Sequence, residues 1–187
     1  MKVAVVQLQS VSPYSQSKHY EVPKENKESP AAYEKRTWRE RCHADDKGQM
    51  FIPPMAFKNT ISDAARFLGE RIPGKGQQTW SKHFEAGVLV TDPLPLGIKK
   101  DDVSGEWLFV PSDGKKGGGK RVMKCFPVIQ QWEGEMTFYV LDDMITEDVF
   151  RHHLEQAGAF VGLGRFRPQR GGFYGRFKVV NMTWKDG

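Results

Sequence analysis

The sequence predicts a single α+β domain over residues 1–187, on three observations. Short β-branched and aromatic runs recur along the chain with turn residues between them, as strands require. Two other segments repeat apolar residues at three- and four-residue spacings, the pattern of a helix with one buried face. With two polar insertions set aside, the order of these segments is strand, helix, strand, strand, helix, strand.

Each element follows from its residues. Val3 to Leu8 is β-branched and apolar, with Gln7 and Gln9 beginning an alternation, and reads as a strand running into a polar turn at Ser10–Ser17. Residues 18–50 form a charged arm insertion, broken by Pro23 and Pro30, with a short helix expected around Ala31 to Arg41. Pro53 and Pro54 open a helix, whose inner face is Phe57, Ile61, Ala64, Ala65 and Leu68, and Gly69 to Gly76 ends it. Phe84 to Val90 reads as a strand closed by Thr91-Asp92-Pro93. Glu106–Val110 and Arg121–Phe126 read as a hairpin around a glycine- and lysine-rich tip, giving a basic hairpin insertion over 106–127. Met136–Leu141 is a further strand. Thr146 caps a helix with acidic residues in its first turn and Val149, Phe150, Leu154 and Ala157 inward, and Phe173–Val180 is the last strand. The order is that of a ferredoxin-like (RRM-like) split βαβ palm, with an inserted β-hairpin finger and an N-terminal arm insertion.

Charge is distributed unevenly. The net charge is +5, and no acidic side chain occurs between Glu155 and Asp186. Between Phe160 and Lys178 stand five glycines and five basic residues, interleaved with Phe166, Phe173, Tyr174 and Phe177. Glycine permits close backbone approach, arginine forks match phosphate oxygens, and aromatic faces stack on unpaired bases. The segment reads as a nucleic-acid-contacting loop: Gly162, Gly164, Arg165, Phe166, Arg167, Arg170, Phe173, Tyr174, Arg176 and Lys178 are its candidate contacts, and Phe177 is assigned to the core. The plainer alternative is a tight glycine turn with solvated arginines. The hairpin tip adds Lys115, Lys116, Lys120 and Arg121.

Other chemistries find little support. Gly114 to Lys120 has the glycine and lysine spacing of a phosphate loop, but Arg121 stands where a Ser or Thr hydroxyl is needed, and no helix follows. Cys42 and Cys125 form no Cys-x-x-Cys pair, which points to two reduced thiols and a cytoplasmic protein. His152 and His153 are adjacent on a helix and diverge. No metal, cofactor or catalytic set is expected, nor any membrane span.

Two segments resemble the repeat-associated mysterious protein (RAMP) superfamily of CRISPR systems. Met50-Phe-Ile-Pro-Pro-Met-Ala-Phe-Lys58 to Arg66 looks like the superfamily's isoleucine-proline, basic residue, apolar helix, arginine run into its first helix. Gly162 to Arg176 is similar to its C-terminal glycine-rich loop. The first strand running into Ser12-Pro13-Tyr14-Ser15 looks like its opening. The usual Gly-Ser after the proline is here Pro54-Met55, and the arm has no counterpart.

The resemblance implies a guide-RNA-binding backbone subunit, or a phage or mobile-element relative, with Lys58 and Arg66 holding the RNA backbone beside the glycine loop and the hairpin tip serving as a finger. The expected function is non-enzymatic binding of single-stranded RNA or DNA, in a homo-oligomer or ribonucleoprotein complex. Two alternatives stay open: a metal-independent RAMP-type endoribonuclease using His19 or His43 as general base, and a protein-interaction module mimicking such a subunit.

Overall fold

The computed structural model describes residues 1–115, 117 and 119–187; Lys116, assigned to the hairpin tip from the sequence, lies outside the described residues. In chain order the elements are β1 (Lys2–Ser10), β2 (Tyr14–Ser15), α1 (Pro30–Thr37), a 3₁₀ turn (Trp38–Arg41), β3 (Gln49–Ile52) and α2 (Pro54–Leu68). Then come α3 (Ser81–Gly87), β4 (Val88–Leu89), β5 (Leu94–Lys99), β6 (Ser104–Pro111), β7 (Arg121–Ile129) and β8 (Glu133–Val140). The chain closes with α4 (Glu147–Gln156), a π-helical turn (Ala157–Val161), a 3₁₀ turn (Pro168–Arg170) and β9 (Phe177–Asp186). This is a mixed α+β protein with several antiparallel sheets and four helices among the described residues.

The principal sheet runs β4-β8-β1-β9, every neighbouring pair antiparallel. β1 and β8 alternate as half-buried strands must: Ala4, Val6 and Leu8 from one and Met136, Phe138 and Val140 from the other are buried. α2 and α4 supply the facing apolar stripes. Phe57 makes edge contacts with Phe138 and Phe177 at ring separations of 6.4 Å, and Phe150 meets Phe138 at 5.3 Å. Pro54 opens α2, and Gly69, at φ 59°, closes it in the left-handed conformation that favours glycine. The Thr146 hydroxyl accepts from the Val149 amide to cap α4.

Two sequence expectations are corrected. Phe84–Val90 is not a strand: residues 81–87 form α3 and only Val88–Leu89 pair, with Val140 and Tyr139. Helical geometry puts Phe84 face to face with the buried His153 at 4.3 Å, and a local propensity count misses that tertiary contact. The last strand begins at Phe177 rather than Phe173, because residues 173–176 are held in the preceding loop. The small β3–β5 sheet, the β2 pairing on β7 and the burial of His153 had no counterpart in the sequence reading.

The arm is not a loose appendage. α1 and the following turn lie on β7, and their anchor is a buried ion pair. Arg41 donates to both Glu34 carboxylate oxygens at 2.6 and 3.2 Å and to the Cys125 carbonyl at 3.1 Å. The Cys125 amide donates to Glu34 at 2.9 Å. Trp38 packs where Gly105 leaves no side chain, so β6 accepts the arm through an absent Cβ. Removing one partner strands the other charge in the interior. Glu34→Ala is expected to lower stability by about 3–5 kcal/mol, read as a shift of the urea midpoint at unchanged slope; a shift below about 1 kcal/mol would show that the pair is solvated.

Candidate nucleic-acid interface

The segment from Gly162 to Arg176 is a closed structure stitched to the start of the chain. The Leu163 amide donates to the Gly175 carbonyl at 3.0 Å and the Tyr174 amide to the Phe166 carbonyl at 3.1 Å, closing the segment on itself. Outward, Arg165 N–H donates to Ser15 at 2.9 Å and Gly175 N–H to Pro13 at 2.7 Å, while Val11 and Ser12 N–H both donate to Arg176. The Thr60 hydroxyl of α2 donates to the buried Gly162 carbonyl at 2.9 Å.

The glycines serve this packing. A Cβ on Gly175, at φ 80°, would overlap the Leu163 carbonyl oxygen, and one on Gly164, at φ 72°, would overlap the Ser15 carbonyl. Gly171, by contrast, has open space around it. The tight-turn reading therefore accounts for Gly162, Gly164 and Gly175, and the sequence reading of Gly162 as a ligand contact is corrected by its burial.

Side chains divide into an inner and an outer set. Arg165 is only 18% exposed: it pairs with Glu106 at 3.3 Å and lies over the Phe126 ring at 4.0 Å. Burial pulls its guanidinium below the ordinary arginine value, opposed by Glu106. Arg167 pairs with Asp63 at 3.3 Å, and the other oxygen of Asp63 holds Arg66 at 3.0 Å. Arg66 is thereby brought to the loop through the acid it shares with Arg167. Tyr174, expected to stack on bases, is buried, and its hydroxyl donates to Glu106 at 3.0 Å. Burial, then Glu106, raises its pKa.

Lys58 does not join this group. Its ammonium donates to Ser62 at 2.7 Å and to the Phe84 and Glu85 carbonyls at 3.2 and 2.8 Å, tying α2 to α3. Burial lowers its pKa.

The outer set is Phe166, Phe173, Arg170 and Lys178, all exposed, with Arg176 half-exposed. Arg176 donates through Nε to the Ala159 carbonyl at 3.0 Å. Phe166 occupies φ 55°, a strained setting for a non-glycine residue, and meets Phe173 edge-on at 6.1 Å. At the hairpin, Lys115 and Lys120 are exposed, and Arg121 donates to the Phe109 carbonyl at 2.6 Å.

Sequence reasoning missed the acids that hold the loop, Asp63 and Glu106. Asp63 was readable as the i,i+3 partner of Arg66; Glu106, distant in sequence and on a strand, carried no such signal. Among the described residues no cluster of His, Cys, Asp and Glu could hold a metal ion, and no helix is long and apolar enough to cross a membrane.

The packing separates two glycines sharply. Gly175→Ala is expected to destabilise the protein by several kcal/mol, since it combines left-handed strain with overlap on backbone atoms. Gly171→Ala, which meets only the left-handed penalty, costs about 1–2 kcal/mol. Thermal unfolding of the two variants checks the order, and equal losses would refute the packing role of Gly175.

No family model matches the sequence, and no curated protein matches it. Solved structures do. A chain of Type III-B Cmr-beta bound to cognate target RNA matches with a TM-score of 0.52 and 13% identity, over 98% of this chain. The present chain spans 60% of that chain's length. Cmr6 from Pyrococcus furiosus matches with a TM-score of 0.52 and 12% identity, over 96% of this chain and 99% of that one. At such identity the likeness concerns architecture, and it meets the resemblance read from residues 50–66 and 162–176: the chain shares the fold of the RAMP-type CRISPR Type III-B subunits.

Proposed function

We propose that the protein binds single-stranded nucleic acid, RNA before DNA, as a non-enzymatic subunit of a ribonucleoprotein complex, in copies that assemble side by side along the strand. The observation that carries this reading is the outer set of the glycine segment. Arg170, Arg176 and Lys178 stand with the exposed rings of Phe166 and Phe173 in a stretch of chain without acids. Phosphates take the basic residues, and bases stack on the rings. The RNA bound to the structurally similar Cmr-beta supports the ligand class. The sheet order β9-β1-β8-β4, with α2 and α4 as crossovers, supports a ferredoxin-like palm from which the hairpin projects as a finger.

The inner arginines are already paired with Glu106 and Asp63, so their work is to shape the loop, and affinity resides in the outer set. Arg170→Ala with Lys178→Ala is expected to weaken binding of a 40-nucleotide RNA and to reduce the slope of log K against log salt by about 1.4, at about 0.7 per lost phosphate contact. Fluorescence anisotropy over a salt series reads both quantities. Unchanged affinity in the folded double variant would remove the loop from the interface.

One observation favours a second reading. His43 is half-buried, its pKa lowered by burial and then by Lys18, and it lines a cavity of about 260 Å³ with Tyr14 and Arg165. A neutral imidazole can serve as the general base that takes a proton from an attacking 2′-hydroxyl. His19, by contrast, is exposed and touches only Glu21. If the protein is an endoribonuclease, RNA is cut in the presence of chelator and cutting is lost in His43→Ala; intact RNA after prolonged incubation excludes it.

A further inference from the structure

A cleft of about 690 Å³ opens between the end of β1 and the turn joining β7 to β8, within the range of about 300–1,000 Å³ typical of ligand sites. Its chemistry differs from the loop beside it. Gln9, Gln130 and Gln131 present three carboxamides that no other described residue engages, Glu133 adds an exposed carboxylate, and no lysine or arginine lines the cleft. Gln9 and Glu133 are cross-strand partners, so their side chains rise together from one face of the sheet. Trp132 completes the lining, and its indole Nε1 is buried without a hydrogen-bond partner among the described residues.

The cleft is joined directly to the basic track. Its wall at Val11–Pro13 carries the Val11 and Ser12 amides that donate to the Arg176 carbonyl, the Ser12 hydroxyl that accepts from the Arg176 amide at 2.9 Å, and the Pro13 carbonyl that accepts from Gly175. A strand whose phosphates rest on Arg176 and Lys178 therefore passes the mouth of a site that repels phosphate, through Glu133, and offers paired donors and acceptors.

We infer that this cleft is a base-reading subsite, which takes one unpaired nucleobase bearing an exocyclic amine, adenine foremost, from a strand held on the neighbouring basic residues. The inference rests on the nucleic-acid reading above. A carboxamide is both donor and acceptor in one plane and matches the N6 and N7 positions of adenine bidentately. The Glu133 carboxylate accepts from an exocyclic amine. Uracil turns a carbonyl oxygen to the same place, leaving that carboxylate facing an acceptor.

The test compares 20-nucleotide oligo(A) and oligo(U) binding to the full chain by anisotropy, at several salt concentrations. Wild type is expected to favour oligo(A) by about tenfold, the discrimination of one good bidentate contact. Gln130→Ala with Gln131→Ala, and separately Glu133→Gln, are expected to bring the ratio toward one while the salt slope is kept. All three positions are exposed, and circular dichroism confirms folding. Equal affinities in wild type, or a preference that survives in the folded variants, overturns the subsite and leaves the loop reading standing. Absence of salt-dependent binding to either oligonucleotide overturns both.

Discussion

The backbone hydrogen bonds between residues 11–15 and 163–176 are the constraint on which the candidate interface depends. They set the path of the loop through main-chain atoms, and the pairs of Arg165 with Glu106 and Arg167 with Asp63 hold it from the side. They also fix where β9 begins, since Phe177 enters the sheet beside Ser10 as soon as Arg176 has bonded to Val11 and Ser12. Phe177 then meets Phe57 and Trp132 in the core. Loop and sheet are thus one construction, and Thr60 ties α2 into it.

Around this frame the charges are sorted by burial. An arginine withdrawn from water needs a partner, and Arg41, Arg165 and Arg167 each have a carboxylate within 3.3 Å. Two of these guanidinium groups, Arg41 and Arg165, also lie over Phe126, at 5.1 and 4.0 Å from the ring centre. Arm, hairpin and loop therefore converge on a single aromatic side chain. Among the described residues Arg170 and Lys178 are exposed and make no ion pair, and these are the cations on which the proposed nucleic-acid contact relies.

Much of this was legible in the sequence where period and punctuation act locally. The apolar spacing of Phe57, Ile61, Ala64 and Ala65 and the stop at Gly69 placed α2, and Thr146 placed α4. Phe177 was read as core and is buried. The failures share a cause. Phe84 lies on a helix that stacks it on His153, Lys58 turns inward to carbonyls at the end of α3, and the buried Tyr174 gives its hydroxyl to Glu106. Each depends on a partner remote in the chain, which period and composition cannot display.

The glycine pattern bears on how such a sequence drifts. A side chain at Gly164 or Gly175 would collide with backbone carbonyl oxygens of the protein itself, and one at Gly162 with the Pro168 ring. A descendant that abandoned its ligand would still retain them, while its exposed arginines and phenylalanines, which nothing inside requires, would be replaced. The spacing of the glycines is then a requirement of the packing rather than of a ligand. The exposed residues between them are the ones that a change of ligand would leave free to vary.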